Sequence, residues 1–102
     1  MKKVNIYCGL NDKETKMQKI DTVEAYKIAS NICMQLFDGC TIYTADGIYK
    51  HDDGTIVIEK TLKIELIDAD DDKIELLTLQ LKSIFNQESI LKTVETVNFE
   101  FC

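Results

Sequence analysis

Few residues in this chain have the type and spacing to do chemistry, and each group also has a plain structural reading. Asp68, Asp70 and Asp72 alternate in the manner of a calcium-binding loop. Such a loop turns on a glycine at its sixth position and closes with a bidentate glutamate at its twelfth. Lys73 and Leu79 occupy those places, so the run reads as the solvated start of a helix. His51, the one histidine, precedes Asp52 and Asp53. The three could hold a metal weakly, and a lone histidine in such a run reads first as polar turn filling. The four cysteines, Cys8, Cys33, Cys40 and Cys102, form no C-x-x-C pair and lack zinc-site spacing. No metal and no cofactor is expected.

Nucleophilic catalysis needs a thiol or hydroxyl beside a base. His51 is the only histidine base available. The sequence holds no G-x-S-x-G, no G-x-x-x-x-G-K and no G-x-G-x-x-G, the runs that build a nucleophile elbow, a phosphate loop or a dinucleotide site. No catalytic residue is expected, and the reading leans against an enzyme.

Six elements must position these residues. Val4, Ile6 and Cys8 alternate with polar or small residues, which predicts a first strand. Residues 10–20 form a polar connector. Asp21 followed by Glu24 resembles a capping box. Ala25, Ile28, Ala29, Ile32, Cys33 and Leu36 then recur at helical spacing and predict a helix over about 22–37. Gly39 is the expected stop, taking the left-handed conformation of many helix ends. Cys8 and Cys33 read as small core hydrophobes.

Strand-like sequence fills 41–49 and 55–67, broken by His51-Asp52-Asp53-Gly54, a hairpin signal. A three-residue loop with glycine at positive φ pairs Ile48 with Ile58, Thr44 with Leu62 and Ile42 with Ile64. Asp46 then falls opposite Lys60 on the same apolar face. A loop one residue longer would swap faces and turn Tyr43 and Tyr49 inward. The shorter loop is preferred because it gives Lys60 a partner. The Asp46–Lys60 pair reads as a satisfied ion pair near the sheet edge, with a buried proton-transfer site as the alternative.

Asp70, Asp71 and Asp72 suit the start of a second helix over about 72–86, where carboxylates cap free N–H groups. Ile74, Leu77, Leu81, Ile84 and Phe85 form its buried stripe. A last strand is expected within 90–101, where Val97, Phe99 and Phe101 alternate with Asn98 and Glu100. The order βαββαβ in 102 residues predicts one domain over 1–102. Right-handed crossovers put both helices on one face of a four-stranded antiparallel sheet with its first and third strands central. This is a ferredoxin-like two-layer sandwich of the α+β class.

Composition narrows the partners. The charge is 12 − 18 = −6, and all twelve basic residues are lysines. Without arginine, the usual bidentate reader of guanine and phosphate, direct nucleic-acid binding is not expected. A partner with a basic surface would be attracted instead. No stretch approaches the roughly 20 apolar residues that span a bilayer, and no apolar signal region precedes Val4. The expectation is a cytoplasmic protein with reduced thiols and no membrane partner.

Several runs also resemble one family. These are Phe37-Asp38-Gly39-Cys40-Thr41, Ala45-Asp46-Gly47-Ile48-Tyr49, Asp53-Gly54 with Glu59, Phe85-Asn86-Gln87-Glu88-Ser89-Ile90-Leu91 and Val97-Asn98-Phe99-Glu100-Phe101. Over about residues 36–101 the chain is similar to a group of small bacterial proteins of unknown function, with Gln87-Glu88-Ser89 its most specific piece. The resemblance implies a ferredoxin-like fold and no chemistry. The chain departs from the family in carrying Ile48-Tyr49 where a bulky aromatic followed by a basic residue is expected, and no export signal is expected.

The open side of the sheet carries the functional reading. Tyr7, Tyr43, Tyr49 and Val57 are expected to point away from the helices, with Asn5, Thr61 and Lys63. Aromatic side chains on an uncovered face suit a partner or ligand. The first reading is a non-catalytic interaction module, a homodimer formed through this face or a sheet edge. The second is an acidic inhibitor of phage or mobile-element origin that blocks a basic nucleic-acid-binding protein by charge mimicry. The third is a small-molecule binder or enzyme of the dimeric α/β-barrel kind, with Tyr7, Tyr43, Tyr49, Asp46 and Lys60 as candidates.

Overall fold

The computed structural model describes residues 1–102. Its elements are β1 (Lys2–Gly9), α1 (Thr22–Leu36), β2 (Thr41–Lys50), β3 (Ile56–Ile67), α2 (Asp71–Ile84) and β4 (Leu91–Thr96). The strands form one antiparallel sheet in the order β2-β3-β1-β4. This is the ferredoxin-like α+β sandwich that the alternating patterns predict. No helix is long and apolar enough to cross a membrane.

Strand alternation sends Val4, Ile6 and Cys8 of β1, with Leu62, Ile64 and Leu66 of β3, into the core. Ala25, Ala29, Ile32 and Cys33 of α1 and Ile74, Leu77 and Leu81 of α2 cover them. The hairpin register is Ile48–Ile58, Asp46–Lys60, Thr44–Leu62 and Ile42–Ile64. Its loop is Asp52-Asp53-Gly54, with Gly54 at φ +90° and its N–H donating to the His51 carbonyl at 2.9 Å. Only glycine takes that conformation without a steric penalty.

Both helix starts follow their carboxylates. The Asp70 side chain accepts from the Asp72 and Lys73 N–H groups at 2.9 and 3.2 Å. Asp21 accepts from Val23 N–H at 3.3 Å.

Three ends differ from the sequence reading. α1 stops at Phe37 in extended conformation, its N–H donating to Cys33, and Gly39 keeps ordinary backbone angles. The left-handed helix end belongs instead to Asn86, at φ 47°. There Asn86 N–H donates to Ser83 at 3.3 Å and Gln87 N–H to Lys82 at 2.9 Å, the paired closure that ends many helices. β4 stops at Thr96 because β1 begins opposite it at Lys2. Phe99 and Phe101 therefore lie beyond the ladder and stack edge-to-face at 5.7 Å. Ile84, expected in the buried stripe of α2, is exposed.

Candidate functional site

Register and pleat decide which side chains share the face away from the helices. Tyr7 and Tyr43 both sit opposite Lys63 in the ladder. The Lys63 Nζ lies 5.2 Å from the Tyr7 ring centroid and 5.3 Å from that of Tyr43. Two ring faces attract one ammonium. The Tyr43 hydroxyl, and after it that of Tyr7, holds the Lys63 ammonium above its ordinary range. Asn5 is buried on this face, its Nδ2 donating to Thr93 Oγ1 and Glu95 Oε1, both at 3.1 Å. Its Oδ1 has no partner. Lys3 pairs with Glu65 at 3.0 Å.

Toward the hairpin the same face opens into a cleft of about 470 Å³, within the usual size of small-molecule sites. Tyr7, Tyr49, His51 and Val57 supply its rings and apolar wall, Glu59, Glu88 and Asp12 its carboxylates. Lys13 and Lys16 border it. Glu59 is held rather than free: its Oε2 accepts from Asn11 N–H at 2.8 Å. A Cβ on Gly9 would come within 2.6 Å of the Glu59 carboxyl, so the glycine makes room for that carboxylate. Tyr49 packs edge-to-face on His51 at 5.5 Å. Burial, and then the charge of Glu59, raises the Tyr49 hydroxyl above its ordinary range.

The connector between β1 and α1 forms one wall of the cleft and is less polar in its surroundings than its sequence indicates. Asp12 is 5% exposed. Its carboxylate accepts from the Glu14 and Thr15 N–H groups at 2.9 and 3.0 Å, from Asn86 Nδ2 at 3.0 Å, and pairs with Lys19 at 3.3 Å. The Asn86 amide, then the Thr15 and Glu14 N–H groups, hold this carboxyl far below the usual carboxylate range. Gln87 Nε2 donates to the Asn11 carbonyl at 2.7 Å. The end of α2 thus clamps the connector, and Asn11 in turn holds Glu59.

The sequence-derived candidates divide. Tyr7, Tyr49 and Val57 line the cleft, and Tyr43 and Lys63 lie beside it. Asp46 and Lys60 face the other way and pair at 2.6 Å with side chains 54% and 52% exposed. A pair so open to water is a surface ion pair, which removes the buried proton-transfer alternative. His51, weighed only as a weak metal ligand or a lone base and read as turn filling, lines the cleft, and Glu59 and Glu88 were not among the candidates. The quoted runs that ended in Glu59 and Gln87-Glu88-Ser89 were the signal that could have found them. Cys8 and Cys33 are buried and free, and burial pushes both thiols up to about 12, which leaves them unreactive. No three His, Cys, Asp or Glu side chains stand close enough to share a metal ion.

Solved structures share this fold. A phage SAM lyase in complex with S-methyl-5′-thioadenosine superposes with a TM-score of 0.67 at 20% identity, covering 92% of this chain and 79% of the lyase chain. Its apo state gives 0.68 at 19%, with 92% and 78% covered. A DUF3240 family protein from Shewanella baltica OS155 gives 0.55 at 7%, with 99% and 94% covered. No curated protein matches the sequence significantly. The family match extends well beyond the runs that first indicated it, from residue 3 to residue 101, and the chain belongs to DUF3574, a family of proteins of unknown function.

Proposed function

We propose that the cleft binds a sulfonium nucleoside of the S-adenosylmethionine class and supports cleavage of a C–S bond at its sulfur. The observation that carries this reading is the convergence of Tyr7, Tyr49, His51 and the fixed carboxylate of Glu59 in one cleft. Aromatic faces and carboxylates favour a cation, and stacked rings favour a purine. Lys13 and Lys16 on the border suit the carboxylate of an amino-acid tail. The likeness to a lyase that holds S-methyl-5′-thioadenosine supports the same ligand class.

The chemistry asks little of the protein. When the C–S bond breaks, sulfur keeps the electron pair and becomes a neutral thioether, so no general acid is needed. The carbon fragment balances its charge by losing a proton to a base such as Glu59, or by bonding to its own carboxylate. Neither route needs a co-reactant. Incubation with S-adenosylmethionine, followed by chromatography, should release S-methyl-5′-thioadenosine. Glu59→Gln should slow that release at least ~100-fold, the usual scale for a positioned base or charge. No release above the uncatalysed background would end the lyase part of the proposal.

A second reading keeps the Tyr7–Lys63–Tyr43 stack, half-buried at Tyr7 and Lys63 and exposed at Tyr43, for a protein partner, as in an interaction module or an inhibitor of a basic protein. The geometry of the stack favours it, and Tyr43 lies outside the cleft lining. Tyr43→Ala therefore separates the two: it should spare nucleoside binding and weaken a partner that docks on the stack.

A further inference from the structure

The hairpin has a second surface, on the side away from the cleft. β1 ends at Gly9, opposite Thr61. The Leu10 N–H still donates to the Lys60 carbonyl at 2.9 Å, and beyond it the hairpin, residues 47–50 and 56–59, extends past β1 as a two-stranded ribbon. The molecule measures 46 × 25 × 24 Å, and its radius of gyration of 14.3 Å exceeds the roughly 13 Å of a compact chain this long. On the helix side of this ribbon Ile48, Ile56 and Ile58 are 68%, 64% and 65% exposed. Ile48 and Ile58 are direct cross-strand neighbours, and Asp46 and Lys60 are the next pair on the same face.

Single exposed isoleucines are ordinary, but three on one face of a ribbon form a patch. A two-stranded ribbon is marginal in water unless something packs on it. We infer that a second copy of this chain covers this face, ribbon against ribbon about a two-fold axis. Charge selects the occupant. The chain carries −6 overall, yet this face presents one acid, Asp46, and two bases, Lys60 and Lys50, beside its isoleucines. A two-fold axis running across the strands at Ile48 and Ile58 sets Asp46 of one copy against Lys50 of the partner subunit, and the reverse. The contact is thus apolar at its centre and complementary at its rim. Sheets pack about 10 Å apart, close to the thickness of the helix layer, so the second ribbon fills the step where that layer ends. The inference stands apart from the nucleoside reading, although the covered strands also carry Tyr49 and Glu59.

Sedimentation equilibrium of the full chain without nucleoside tests it. The wild type should form dimers within the micromolar range. Ile48→Asp and Ile58→Asp should each raise the dissociation constant at least ~10-fold, about 1.4 kcal/mol, with circular dichroism unchanged. Met34→Ala, at an exposed position of α1, should change nothing. Asp46→Lys and Lys50→Asp should each be monomeric alone, and an equimolar mixture of the two should dimerise. A wild type that stays monomeric at high micromolar concentration would overturn the inference and leave the face to a different protein. Dimers insensitive to these substitutions would overturn it too, as would a mixture that stays monomeric.

Discussion

Glu59 shows how a single carboxylate is prepared for a ligand. It stands on the solvent side of the sheet, where a flexible glutamate would ordinarily sample many rotamers. Here the Asn11 N–H fixes one oxygen, and the missing side chain at Gly9 leaves the space for it. Gly9→Ala should displace the Glu59 carboxyl, because the flexible end of a side chain yields before backbone does. The expected outcome is nucleoside affinity lowered ~10-fold or more with a thermal midpoint close to wild type, read by calorimetry on both proteins. Asp12 makes the complementary case. Its folded-state carboxyl titrates below the ordinary value, so the unfolded chain binds more protons through the acid range. Its contribution is present above an unfolded value of about 3.9 and is lost as pH falls toward the folded one. Urea midpoints should drop as pH is lowered from about 4. Asp12→Asn should be less stable at neutral pH and show a flatter acid dependence.

Among the elements, the ends carry more information than the middles. Apolar periodicity was enough for α1, α2 and the two central strands, because burial at every second or every third to fourth position is a strong and repeated constraint: Ile6, Ile64, Leu77 and Leu81 are wholly buried. The hairpin register was legible from its turn, which needs a glycine at positive φ where Gly54 stands; Lys60, which the sequence reading put against the core, is open to water and needed no partner. The connector was not legible. Asp12 and Gln87 look solvated in sequence, and their burial depends on contacts across more than seventy residues. No local pattern encodes such a contact. The cleft was half legible for the same reason. Its tyrosines and Glu59 follow from strand alternation, whereas Glu88 reaches it only once the connector and the end of α2 lock together. That lock turns on Asn86, whose left-handed backbone both ends α2 and aims its amide at Asp12. Asn86→Ala should cost about 1–2 kcal/mol from the backbone alone, plus the lost bond. Asn86→Gly removes only the bond and should fall between Asn86→Ala and wild type in chemical denaturation.

At the scale of the whole molecule, one sheet serves two sides. The helices cover the centre of one side and leave the projecting hairpin bare. The other side gathers its aromatic and acidic groups where the hairpin meets the connector. The fold is common to chains with little sequence in common, which the 19–20% identity to the phage lyase illustrates, so activity must be argued from the cleft and not from the topology. The most direct measurement is isothermal titration of the purified protein with S-adenosylmethionine and with S-methyl-5′-thioadenosine. Both should bind at one site per chain, the sulfonium more tightly than the thioether, and Glu59→Gln should erase most of that difference while Tyr49→Ala weakens both. No detectable heat at millimolar nucleoside, or binding that neither substitution alters, would contradict the assignment of this cleft.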